Sequence, residues 1–140
     1  MALKYLALDI GERRVGIAVS DDSGIVVRPL ITLATENSFL ARLGEVIESE
    51  KPDVLVFCLP RHQSGDVGDM AKEIRELAKG IKHEYNIEVD FEDESGTTLI
   101  AEGRMKEAGV AQKDMKTKVD AEAATVILES YLDRKKSGKK

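Results

Sequence analysis

The chain has 140 residues, about one domain, and 42% hydrophobic with 34% charged residues is the balance of a globular protein with a well-solvated surface. A net charge of −5 argues against a protein that coats nucleic acid indiscriminately, but not against an enzyme that grips it locally. One cysteine, Cys58, excludes an intramolecular disulfide. No apolar stretch approaches the roughly 18 residues that span a bilayer, and the N-terminus enters a strand without a secretory pattern. A cytoplasmic chain with no membrane partner is expected.

In chain order, an apolar run at residues 3–8 ends on a lone carboxylate, Asp9, and a Gly11-containing link leads to a second apolar run at 15–19. Two short runs around such a link read as a β-hairpin. Residues 24–33 read as a third strand, where Pro29 implies an edge position or a bulge, since proline cannot donate to the ladder. Ser38 is placed to cap a helix bearing Phe39, Leu40, Leu43, Val46 and Ile47, and Lys51-Pro52-Asp53 stops it. The wholly apolar Val54–Leu59 reads as a central strand covered on both faces.

Residues 61–69 are polar and glycine-bearing, a loop at that strand's carboxyl end. A second amphipathic helix carries Val67, Met70, Ala71, Ile74, Leu77, Ala78, Ile81 and Tyr85. Ile87, Val89 and Phe91 then alternate with acids in a half-exposed strand that runs into Asp93-Glu94. A shorter helix is expected over 96–108, then a lysine-rich loop, then a last helix over 119–132 with Ala123, Ala124, Ile127, Leu128 and Tyr131 inward. The order implies one α/β domain over 1–134 with a mixed sheet, an antiparallel meander followed by parallel strands, and a basic tail over 135–140. No internal repeat or linker divides it.

Three carboxylate positions compete for one place: Asp9, then Asp93 or Glu94, then Asp120. An acid beside a core strand is costly to bury unless something pairs with it, and hard divalent cations take carboxylate oxygens. Each also has a plain structural reading. Asp9 can cap its own turn, and Asp120, three residues after Thr117, resembles part of a capping box in a first helical turn. Strand alternation does not choose between Asp93 and Glu94.

Three motifs carry a resemblance over the whole chain. They are Asp9-Ile10-Gly11-Glu12-Arg13-Arg14-Val15-Gly16-Ile17-Ala18-Val19-Ser20-Asp21, then Asp93-Glu94-Ser95-Gly96-Thr97-Thr98, then Lys118-Val119-Asp120-Ala121-Glu122-Ala123-Ala124 with Ile127-Leu128. Together they resemble the YqgF/RuvX family of ribonuclease H-like nucleases, assigned to Holliday junction resolution and to processing of pre-16S ribosomal RNA. The resemblance implies a ribonuclease H-like fold with a five-stranded mixed sheet, and a catalytic, metal-holding triad at Asp9, Glu94 and Asp120. It selects Glu94 over Asp93. The departures are Ser95 and Gly96, where the family has arginine and leucine, and Cys58 at the usual glycine before Leu59-Pro60.

The expected activity is metal-dependent hydrolysis of phosphodiester bonds in structured nucleic acid, foremost the 5′ end of pre-16S rRNA. Mg²⁺ (or Mn²⁺) suits an all-carboxylate site. Arg13, Arg14, Arg61, Lys116 and Lys118 are candidates to hold substrate phosphates; Arg13 and Arg14 alternate in direction if extended, so at most one faces the site. Branched DNA is the alternative substrate, one that a two-fold homodimer rather than a monomer would match. His62 reads as a solvated loop residue, His83 and Cys58 as structural, and Ser20 and Ser64 lack a histidine–acid partnership. Two competing classes are a phosphate-binding module like the actin-type ATPases, which need a duplicated domain, and a non-cleaving assembly factor.

Overall fold

The computed structural model describes residues 3–11, 13–35, 38–59, 65–93 and 112–136, with the side chains of 65–70, 93, 112–120 and 136 outside the description. Its elements in chain order are β1 (Tyr5–Ile10), β2 (Arg14–Ser20), β3 (Val27–Ala34), α1 (Phe39–Glu50), β4 (Val54–Leu59), α2 (Gly65–Tyr85), β5 (Glu88–Asp93) and α3 (Gln112–Lys136). The strands form a five-stranded sheet ordered β3-β2-β1-β4-β5. β1 is antiparallel to β2 and parallel to β4, so the sheet changes character at β1. β3 is an edge strand, and its register against β2 slips between Ile17↔Ile31 and Ala18↔Pro29. Pro29 therefore brings both of the expected devices, the edge and the bulge.

The turn from β1 to β2 is closed by Gly11 N–H donating to the Arg14 carbonyl at 2.9 Å. A Cβ at Gly11 would lie 3.0 Å from that same oxygen, a contact tight enough that a side chain there would press on the turn. The β2–β3 turn is tied by Asp21, whose Oδ1 accepts from Ile25 N (3.0 Å) and Val26 N (3.2 Å) and whose carboxylate also accepts from Ser23 Oγ. The Ser23 bond above all, then those from the backbone, holds the Asp21 carboxyl below its usual value.

The two faces of the sheet are covered differently. On one, Leu6, Leu8, Val15, Ile17, Val19, Leu55 and Phe57 pack with Leu43 and Ile47 of α1 and Ile74, Ala78 and Ile81 of α2. On the other, Ala7 and Val56 pack with Leu128, Tyr131 and Leu132 of α3. α3 lies over β1, β2 and β3, and every residue from Ala121 to Leu128 is buried.

Several expected boundaries move. α2 begins at Gly65, so residues 65–69 are helical rather than loop. α3 begins at Gln112, so the lysine-rich loop is the first part of the helix, and it runs on to Lys136, so Lys135 and Lys136 of the expected tail are helical. Ser38 stands at the N-cap of α1 without a capping side-chain hydrogen bond. The helix expected over 96–108 lies outside the described residues.

Candidate active site

Asp9 is the fifth of the six residues of β1, opposite Gly16 of β2, rather than beyond the strand's end. It is half-buried. Strand alternation fixes its face: Tyr5 and Ala7 pack on the α3 side, and Asp9 shares their parity. Gly16 has no side chain to cover the carboxylate, and the next residue of that face, Ala18, has only a methyl.

The register extends this position into a row across the sheet. Thr32 pairs with Gly16 and Gly16 with Asp9; on the other side Leu8 pairs with Phe57, which sets Cys58 beside Asp9, and Cys58 pairs with Glu92. A carboxylate at the carboxyl end of β1 thus shares one face with a threonine, a thiol and a second carboxylate. In parallel portions of α/β sheets, such carboxyl ends are where sites form.

The hairpin also settles which arginine joins Asp9. Arg14 is the first residue of β2 and has the parity of Gly16, placing it diagonally across from Asp9 on the same face, within reach of a long side chain. Arg13 precedes the strand and is exposed. Its carbonyl accepts from Thr35 N at 2.9 Å, tying the turn to the end of β3.

Asp120 is the ninth residue of α3, well inside the helix. That removes the capping-box reading, because the free N–H groups a cap would satisfy lie in the first turn, eight residues earlier. Lys116 and Lys118 are helical residues, not loop residues, and their side chains, like that of Asp120, lie outside the description. Glu94, Arg61, His62 and Ser64 lie outside the described residues altogether. Among the described residues, no group of three or more His, Cys, Asp or Glu side chains could hold a metal ion. The structure therefore brings Asp9 and Arg14 to one place and leaves Glu94 and Asp120 to be argued from position.

Two polar residues have structural roles. Ser20 is buried, its Oγ accepting from Tyr5 N at 2.8 Å and donating to the Asp21 carbonyl at 3.0 Å, so it latches β2 to the start of β1. Cys58 is a buried thiol on the Asp9 face. One feature absent from the sequence reading is the set of bonds between β5 and α3: Tyr131 O–H donates to Asp90 at 2.7 Å, and Ser130 Oγ donates to Glu92 at 3.1 Å, as does Arg134 Nε at 3.1 Å. The partners are about forty residues apart in the chain, so no local spacing signals them.

The mixed five-stranded sheet with helices on both faces is that of the ribonuclease H-like resolvases. Solved structures with this fold include the *Thermus thermophilus* RuvC complex with a Holliday junction substrate (TM-score 0.60, 13% identity, 97% of each chain). The fowlpox virus Holliday junction resolvase is another, with a TM-score of 0.56 and 17% identity over 94% of this chain and 99% of that one. The chain belongs to the RuvX family, described as Holliday junction resolvase, whose model matches residues 3–134. Among its relatives, a *Lactococcus lactis* subsp. lactis (strain IL1403) protein is 36% identical over 137 residues, 95% of this chain and 96% of that one. A *Leuconostoc citreum* (strain KM20) protein is 37% identical over 136 residues, 94% and 95% of the two chains. Both bear the provisional name pre-16S rRNA nuclease. Among the described residues, no helix is long and apolar enough to cross a membrane.

Proposed function

We propose that this chain is a metal-dependent nuclease of the cytoplasm that hydrolyses phosphodiester bonds in structured nucleic acid, with the 5′ end of pre-16S rRNA as its substrate. The observation that carries the reading is the placement of Asp9: a half-buried carboxylate at the carboxyl end of β1, facing α3 across a glycine. The relatives named as pre-16S rRNA nucleases favour the substrate.

The residues fit a pair of hard divalent ions, Mg²⁺ or Mn²⁺. The donor set is all oxygen, as such ions prefer. Asp90 and Glu92 both point to the α3 side, where Tyr131 and Arg134 hold them, so the last described side chains of β5 share the face of Asp9. Asp120 lies eleven residues before Tyr131 in α3, close to three helical turns. The family resemblance supplies Glu94 and Asp120 as the ligands beside Asp9. Ions bound there would neutralise phosphate charge and make the attacking water more acidic.

The chain's own residues do the rest. Arg14, on the Asp9 face, holds a phosphate oxygen of the substrate beside the carboxylates, and its guanidinium offers two parallel N–H donors for that purpose. Arg13, Arg61, Lys116 and Lys118 are further contacts to the backbone of the nucleic acid, which positions the substrate without reading its sequence.

The test is cleavage of a pre-16S rRNA fragment and of a four-way DNA junction, with and without Mg²⁺ or Mn²⁺, beside Asp9→Asn. Metal-dependent cutting of the RNA that disappears in Asp9→Asn is expected. The family description favours a second reading, junction resolution, which preferential cutting of the DNA would select and which a two-fold dimer in solution would suit. Binding of RNA without cutting at any metal concentration would replace both with a non-cleaving assembly factor.

A further inference from the structure

β5, which ends one residue before Glu94 in the chain, and α3, which contains Asp120, are tied together by a polar clamp. Glu92, its side chain only 11% exposed, accepts from Arg134 through both Nε (3.1 Å) and Nη2, and from Ser130 Oγ (3.1 Å). One step back along the same face, Asp90 accepts from Tyr131 O–H. The Arg134 guanidinium lies 5.5 Å from the centre of the Tyr131 ring, so the two holds support each other.

The clamp sits where it can set the spacing of the site. Glu92 lies in the same row as Asp9, two strands away through Cys58, or about 10 Å at the usual strand spacing. Glu94 follows two residues later in the chain. Asp120 is fourteen residues before Arg134 in one unbroken helix, a rigid rod of about 21 Å. A shift of Arg134 against Glu92 would therefore move β5's exit relative to the helix that carries Asp120. Without Arg134, Glu92 would keep its Ser130 bond but stand as an uncompensated carboxylate on the Asp9 face, able to draw a cation away.

We propose that Arg134 and Glu92 are positioning residues of the metal site: their ion pair fixes the exit of β5 against α3 and withholds Glu92 from the ions. The proposal rests on the nuclease reading above. It predicts that the pair controls metal affinity more than chain stability, because partners behind metal ligands typically change affinity 10–100-fold when lost.

The experiment is Mn²⁺ titration by calorimetry on the full chain, with cleavage and thermal unfolding measured alongside. Arg134→Met should weaken Mn²⁺ binding about tenfold and raise the Mn²⁺ needed for half-maximal cleavage by a similar factor, with the rate at saturating metal little changed. Arg134→Lys should recover most of the affinity. Tyr131→Phe, which removes the neighbouring bond to Asp90 only, should lower the melting temperature and leave Mn²⁺ affinity within about twofold of the parent. Should Arg134→Met not fold, Glu92→Gln takes its place, with affinity reduced about threefold.

Unchanged affinity in the Arg134 or Glu92 variants, or an equal loss in Tyr131→Phe, overturns the clamp. Asp9→Asn separates the two levels. If it abolishes Mn²⁺ binding while Arg134→Met does not weaken it, only the clamp fails; if Asp9→Asn binds Mn²⁺ as the parent does, the metal site and the clamp fail together.

Discussion

The two faces of the sheet divide the work of the molecule. The face under α1 and α2 is filled by large apolar side chains, Leu6, Leu8, Ile17, Leu55 and Phe57 among them, and Arg28, which shares the row of Leu6, is exposed on the edge strand. The face under α3 is built from small residues, Ala7, Gly16, Ala18 and Val56, interleaved with Asp9, Arg14, Thr32, Cys58, Asp90 and Glu92. A single strand serves both, since the side chains of β1 alternate between them. The lesson is that an apolar core and a polar face can be placed in adjacent residues when a strand's two faces are given different partners.

The comparison is broken most directly by one substitution on each side. Phe57 is fully buried on the apolar face, against Phe91 at 6.1 Å between ring centres, and Phe57→Ala should cost about 3–5 kcal/mol in urea unfolding. The folded fraction should bind Mn²⁺ as before. Asp9→Asn should do the reverse, removing cleavage while shifting stability by about 1 kcal/mol or less. If Phe57→Ala left stability intact, or Asp9→Asn unfolded the chain, the division between faces would be wrong.

A smaller effect is expected at the polar seam between β5 and α3. Tyr131 is 1% exposed, and burial first, then its bond to Asp90, raises the phenol's pKa well above the ordinary 10.0. Below about pH 10 the folded and unfolded chains both keep that proton, so the contribution is complete. Above it the unfolded chain ionises first and binds fewer protons than the folded one, so stability falls as pH rises towards the folded-state value. Tyr5, whose pKa is raised mainly by burial and then by Asp53 and Asp90, adds to the same decline. Tyr131→Phe should cost about 2 kcal/mol at neutral pH, the worth of a hydrogen bond to a charged group. It should also lose stability less steeply between about pH 9 and about pH 11, measured by urea midpoints.

Much of this was legible in the residues. Continuous apolar runs marked β1, β2 and β4, Pro29 marked the edge and its bulge, and Asp9 stood out as an acid against a core strand. What sequence spacing missed has physical causes. Lys113, Lys116 and Lys118 look like a solvated loop by charge, yet lysine is a good helix former and α3 includes them. Thr117 and Asp120 imitate a helix start from within a helix. Gly65, Gly68 and the aspartates of α2's first turns read as loop because glycine and aspartate favour turns, and here the helix overrides them. The choice of Arg14 over Arg13 needed the turn closed by Gly11, and Arg134 with Glu92 needed the tertiary fold itself.

The smallest effect expected is at the start of α1, and it tests what holds the apolar face. Ser38 has φ −90° and ψ 5°, not the extended backbone of an ordinary N-cap, and its hydroxyl makes no capping bond. Its carbonyl accepts from Arg42 N at 3.0 Å, a bond that any residue can make. α1 is held instead by Leu43 and Ile47, both buried, and by Lys51 in the left-handed conformation, which donates its N–H to the Ile47 carbonyl at 2.8 Å. Ser38→Ala should therefore change stability by less than about 0.5 kcal/mol, where loss of a working cap typically costs about 1 kcal/mol. A full-sized loss in the melting curve would mean that this helix depends on a specific polar bond after all, as α3 does, and the contrast between the two faces would narrow to the sheet.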